Sequence, residues 1–385
     1  MRDIRLDSLR GLFLVLMTVD HIGGKITAFT YEPLGFVSAA AAFVMLSGYL
    51  YAYTASGTPP QGRPLIKQSL VRASKLYRYH LGVFALLVLL TLVSTVHRDY
   101  FGYQFYPADL TPATAMLYGA LMLHQPKLMH LLPMYLLLSL LSPFILKAFH
   151  RKLWLPVFAC SLALWALGQT FDPLEWLTAA SHTGAHAGDF NLLAWQLLWV
   201  TGLFIGFAHG VEKRSDLFPS PVWLWAAALG TIGFFLARHD VIYTPDQFDF
   251  YVEKSDMRAL RIINIFFQVV LFCKIIQYVP RTKGLPWLQF IGKYGLPVYC
   301  FHVLVVAFLE PLSWRVSMHF GYAVEAVYIG AVVASLSIPA LLYRAYEVQL
   351  RKSGARTWKN RISALGNVAR GLLKPRAKSD PVRVD

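Results

Sequence analysis

Cysteine is nearly missing from this 385-residue chain, which has only Cys160, Cys273 and Cys300. All three lie inside apolar runs, so they read as small buried hydrophobes and not as a disulfide framework or a metal site. No HExxH element occurs among the 12 histidines. His182 and His186 share a loop without acidic ligands at a regular spacing, and no metal is expected. A P-loop, a Rossmann glycine pattern and the G-x-S-x-G elbow are also missing, which removes the usual nucleotide folds and the α/β-hydrolase serine. Acidic residues are scarce, 21 against 36 Lys and Arg. Long polar stretches are scarce too: none is long enough to build a separate soluble core.

What fills the chain is hydrophobic sequence, 56% of all residues, with a mean hydropathy of +0.47. That exceeds a soluble protein's share and needs a non-aqueous surround. Apolar runs long enough to cross ~30 Å of hydrocarbon recur from end to end. They predict an all-α polytopic membrane protein with about ten spans, at 9–29, 36–54, 80–97, 129–147, 153–170, 191–209, 221–237, 258–279, 288–309 and 323–345. Residues 112–124 are too few to cross and are expected to form a re-entrant or interfacial helix. The first run lacks a small-residue cleavage site and reads as a retained helix.

Lys and Arg set the orientation. With the N-terminus inside, the segments 1–10, 55–79, 148–152, 210–220, 280–287 and 346–385 face the cytoplasm and carry most of the positive charge. The opposite loops carry Asp99, Asp109, Asp172, Glu175, Asp189, Asp240, Asp246, Asp249 and Asp256. Both termini are thus expected inside, with a membrane domain over 1–345 and a basic tail over 346–385. In that tail Trp358, Ile362, Leu365, Ala369 and Leu372 form a stripe, which suits either a helix lying on an anionic leaflet or a solvated disordered tail. The formal charge of +15 therefore reflects topology and membrane surface, and no nucleic-acid partner is expected.

Polar residues inside spans are expensive in hydrocarbon and mark function by default. Arg10 and His21 are eleven steps apart, and eleven steps of 100° return to within ~20° of one direction, so both share a face of the first helix. The rise of about 16 Å puts Arg10 at the inner interface and His21 past the midplane. Asp20 adjoins His21 but points away. A near-neutral imidazole can take a proton from a hydroxyl; the competing readings are a structural histidine for His21 and a snorkelling anchor for Arg10. Ser47, in FVMLSGY, suits close helix packing. Arg72, Lys75 and Arg78 form a basic stripe, either solvated or fitted to a phosphorylated ligand. Asn191, Trp195, Gln196, Arg258, Arg261, Asn264, Gln268, Lys293, Tyr299 and His302 place polar groups in several further spans. So many imply a shared hydrated cavity.

Taken in order, RDIRLDSLRG, VDHIG, FVMLSGY, LLPMYLLLSLLSP, FNLLAWQLL and FIGKYGLPVYCFH resemble the OpgC family, a branch of the acyltransferase-three membrane superfamily. The resemblance runs to about residue 345. It implies an O-acyltransferase of the bacterial inner membrane that succinylates periplasmic glucans from a cytoplasmic acyl donor. By the same resemblance His21 is the catalytic histidine and Arg10 holds the site or the donor, with Asp20 beside them. His130 stands where the family pattern has an acidic residue. A polyanionic coenzyme A thioester, succinyl-CoA, would suit Arg72, Lys75 and Arg78 as co-substrate, with no tightly bound cofactor. A glycan acceptor would meet Tyr100, Tyr103, Tyr106, Trp176, Tyr243 and Tyr251; Ser47, Gln196, Arg261, Tyr299 and His302 complete the expected substrate site. Acylation of another envelope polysaccharide or lipid-linked sugar, and a transporter without chemistry, are the competing functions. Oligomeric state is not legible.

Overall fold

The computed structural model describes residues 3–55, 63–105, 110–180, 184–214, 216–280 and 282–352. Among them every regular element is a helix. The basic tail beyond Lys352, Tyr106 and His182 lie outside the described residues, and the side chain of Tyr103 is likewise not described.

The first helix, α1 (Ile4–Ile22), starts at Asp3, whose carboxylate accepts the N–H of Arg5, and stops at Gly23 with φ 73°. A left-handed backbone suits glycine and ends the helix there, so residues 23–29 of the predicted first span are not part of it. The short α2 (Thr27–Thr30) and then α3 (Ala39–Ala55) follow. Helix α4 (Arg63–Val93) carries the basic stripe and the apolar run in one rod, ahead of α5 (Thr95–Phe105) and α6 (Pro112–Ala120). Thr111 caps α6 by accepting the N–H of Thr114, and the helix ends short of residue 124. Next come α7 (Leu131–His150), α8 (Trp154–Leu167), α9 (Pro173–Ala180) and α10 (Leu192–Gly210). After them come α11 (Pro221–Arg238), α12 (Phe248–Tyr251), α13 (Ala259–Ile276), α14 (Pro286–Lys293), α15 (Gly295–His319), α16 (Tyr322–Ser335) and α17 (Ser337–Lys352).

Among the described residues, seven stretches are long and apolar enough to cross a bilayer: most of α4, then α7, α10, α11, α13, α15 and the α16–α17 run. They mark a multi-pass membrane protein. Helices α3 and α8 are apolar but shorter. Helix α1 has the length and carries Arg5, Asp7, Arg10 and Asp20, four charges in nineteen residues.

Two predicted spans are broken helices. The ninth divides at Tyr294 and the tenth at Leu336. Proline explains both positions. Pro297 and Pro339 each lack an N–H, and each ring would strike the carbonyl four residues earlier, at Lys293 and Ser335. Those two residues end α14 and α16.

Helix α1 sits inside the bundle, packed on α3, α14, α15 and α16. Its contact with α14 is backbone on backbone: a Cβ at Gly11 would overlap Leu288, and one at Gly292 would overlap Asp7. Glycines draw α3 onto α10 in the same way, through Gly48 against Trp199 and through Gly202 and Gly206 against Met45 and Tyr49. Small residues let helices approach where lipid supplies little hydrophobic drive. The result fixes α1 along its whole length.

Candidate active site

The far end of α1 carries His21 in its last turn, half-buried, facing His302 on α15, which is fully buried. His21 Nδ1 lies 3.1 Å from His302 Nε2, with the two ring planes 18° apart. His302 Nδ1 lies 2.6 Å from the carbonyl oxygen of Tyr299, one turn earlier. A carbonyl only accepts, so His302 Nδ1 carries a proton, and in the neutral ring its Nε2 is then an acceptor. That acceptor takes the Nδ1 proton of His21. The chain of two bonds therefore leaves His21 Nε2 as a bare nitrogen able to receive a proton. Tyr299 is anchored in turn: its hydroxyl donates to the carbonyl of Leu128 over 2.8 Å.

Asp20 does not join this relay. Its carboxylate accepts the hydroxyl of Thr30 over 3.0 Å, tying the end of α1 to α2. One residue on, Tyr31 lies beneath the ammonium of Lys254, 5.4 Å from the ring centre. Lys254 is also 5.7 Å from the ring centre of Phe190.

The near end of α1 is different in kind. Arg10 lines a cavity of about 220 Å³ together with Lys75, Lys293, Tyr294, Tyr343 and Glu347. Its guanidinium lies against Gly295, where α15 begins; a Cβ there would sit 2.8 Å from Arg10 Nη2. Lys75 reaches the hydroxyl of Tyr343 at 3.3 Å, and Tyr294 donates to Glu347 over 3.2 Å. Three cations face one carboxylate here, which suits a polyanion.

The expected site residues thus divide. His21, His302 and Tyr299 come together, and so do Arg10 and Lys75. Arg72 lies 5.0 Å over the Tyr51 ring and Arg78 is exposed, bonded to the carbonyl of Ser74 on its own helix. Ser47 is buried beside Gly48, and its side chain faces Tyr135 on α7. Gln196 exchanges two hydrogen bonds with Ser161, at 2.8 and 2.7 Å, and joins α10 to α8. Arg261 is buried and engaged on every side, by Glu32 at 2.6 Å and by the carbonyls of Phe36 and Val252. Of the outer aromatics, Trp176, Tyr243 and Tyr251 are exposed, and Tyr100 packs partly on the core.

Glu32, Tyr31 and Lys254 are the site neighbours that sequence reading passed over. Glu32 had a signal: an acid isolated between apolar runs, in TYEPLG, asks for a buried cation, and Arg261 supplies it. Lys254 had none, because it lies in the polar run VEKSD.

That run is rigidly held. Glu253 accepts the N–H groups of Ser255 at 2.6 Å and Asp256 at 3.0 Å. Burial works to raise the Glu253 pKa, and these bonds overcome it, leaving the carboxyl below its ordinary range. Beyond them, Trp195 donates to the carbonyl of Ser255, Gln169 to that of Asp256 and Trp165 to that of Met257. Nearby, burial holds the His130 pKa well down although Asp189 lies 3.5 Å away.

A family model described as OpgC protein matches residues 2–347. No curated protein and no solved structure matches the chain.

Proposed function

The chain belongs to the OpgC family, and from that premise we propose that it is a membrane O-acyltransferase moving a succinyl group from a cytoplasmic coenzyme A thioester to hydroxyls of a periplasmic glucan. The observation that carries this reading is the bare Nε2 of His21, set by the His302–Tyr299 relay and aligned along α1 with a cavity ringed by cations. In it the bundle has ten crossings in the inner membrane, the basic end of α1 facing the cytoplasm in line with the Lys and Arg bias. The phosphates of the donor sit on Arg10, Lys75 and Lys293. Its thioester arm runs along α1 to His21, where a glucan hydroxyl enters from the other side.

The chemistry balances with these groups alone. The hydroxyl oxygen attacks the thioester carbonyl carbon as its proton passes to His21 Nε2. The new C–O bond forms, the C–S bond breaks, and the proton on His21 goes to the departing thiolate. During the protonated interval the positive charge is shared with His302 through the Nδ1–Nε2 bond, and the Tyr299 carbonyl steadies it. Neither ring needs a carboxylate partner.

The test is direct. Purified protein is given labelled succinyl-CoA and a periplasmic glucan preparation, wild type beside His21→Ala. Label should move into the glucan with the wild type only. Equal labelling by the variant would defeat the proposal, as would strict dependence on a lipid-linked sugar in place of the glucan.

A further inference from the structure

Lys254 is a cation near His21 that the acyl-transfer reading leaves without a task. Its ammonium makes no hydrogen bond and has no carboxylate within ion-pair distance among the described residues. The neighbouring acids face elsewhere: Glu32 pairs with Arg261, Asp20 accepts from Thr30, and Asp189 is exposed to solvent, 3.8 Å from His186. What touches the ammonium is the pair of ring faces, Tyr31 and Phe190. Two rings make a weak cation site and block solvation without replacing it.

The backbone around it is fixed from both sides. Val252 is held through its carbonyl by Arg261, and Ser255, Asp256 and Met257 through theirs by Trp195, Gln169 and Trp165. The carboxylate of Glu253 closes the turn. A loop this constrained presents its lysine in one place. That place is within electrostatic reach of both His21 and Asp20, at the end of α1 remote from the basic cavity. Burial also holds the ammonium below the usual lysine range, while Glu32 works to raise it. A charge short of water and of partners is where an anionic ligand gains most.

Resting on the acyl-transfer reading, we propose that Lys254 receives the free carboxylate of a dicarboxylic acyl group, selecting a succinyl donor over an uncharged acyl of the same length. With the phosphates at the Arg10 cavity and the thioester at His21, the rest of the acyl chain points onward past α1, toward Lys254. The Tyr31 and Phe190 rings flank the two methylenes. The donor is thus gripped by its charge at each end, and its reactive carbon is held between them.

The experiment compares succinyl-CoA with butyryl-CoA, the same chain length without the carboxylate, on purified wild type, Lys254→Met and Lys254→Arg. Wild type should prefer succinyl-CoA in kcat/KM. Lys254→Met should cut that preference at least tenfold, about 1.4 kcal/mol, and Lys254→Arg should restore much of it. Binding of the two thioesters is followed in parallel by thermal shift, which needs no turnover. A preference within twofold of wild type in Lys254→Met, by turnover and by binding, overturns the assignment. So does an acceptor KM that rises equally with both donors, which would make Lys254 a glycan contact. Should wild type transfer neither acyl group while succinyl-CoA still binds better in a Lys254-dependent manner, the subsite stands and the transfer reading falls. Lys254→Arg separates a charge role from simple filling of the space between the rings.

Discussion

The two ends of α1 differ in how they spend their charge. At the Arg10 end, cations gather around an open cavity with a single acid opposing them. At the His21 end, His21 and His302 form a neutral relay, Glu32 is paired with Arg261, and Lys254 has no carboxylate within ion-pair distance among the described residues. One end is built to hold a polyanion by attraction. The other is built to hold a nitrogen in one tautomer. In the proposed function, binding and chemistry are separated along a single helix by about 16 Å, so that each end could be damaged without the other.

The largest effect is expected from His21→Ala, which removes the proton acceptor and should lower kcat by roughly 10²–10⁴, while donor affinity at the cation cavity persists. Loss of donor binding in the same variant would erase the division between the ends. His302→Ala leaves the base in place but frees its tautomer, and kcat should fall on the order of ten- to a hundredfold with KM for the thioester little changed. Arg10→Ala or Lys75→Ala should do the reverse, raising KM for the thioester about tenfold through loss of one charged hydrogen bond. Added salt should narrow the gap between variant and wild type.

Packing offers a further contrast. Gly292→Val forces a side chain into the backbone of Asp7 and should lower stability by about 1–3 kcal/mol, read as the thermal midpoint in detergent. Gly82→Ala on α4, where a Cβ meets nothing within 4 Å, should be neutral or slightly stabilising. The smallest effect concerns pH. The Glu253 pKa is lower in the folded protein, so its contribution is present above the ordinary carboxylate range and fades as pH falls through the folded value. Hydrogen exchange over 252–258, corrected for intrinsic rate, should quicken on acidification, and Glu253→Gln should flatten that response.

Much of the first helix was legible in one dimension. The Arg10–His21 stripe follows from helical periodicity alone, and the charges on α1 announced that it faces protein or water. The partner of His21 was legible only as another polar residue in an apolar run, because His302 is 281 positions away and nothing local joins them. Reading Gln196 and Arg261 together with His302 as cavity residues treated alike what the fold treats differently. Both Gln196 and Arg261 are satisfied by the protein itself, through Ser161 and through Glu32, Phe36 and Val252. Pro297 and Pro339 stood in plain view, yet apolar runs hide breaks from a hydropathy window, since a proline costs a span little apolarity while removing a helix bond.

Composition and periodicity by themselves determined that this is a helical, multi-pass membrane chain with a histidine and an arginine aligned on its first helix, because apolar length and the 100° step are local properties. The tertiary structure alone decided which nitrogen of that histidine carries the proton, which buried ions cancel and which lysine is left over. Those depend on groups hundreds of residues apart meeting within a few ångströms, and hydrogen bonds act only at that range.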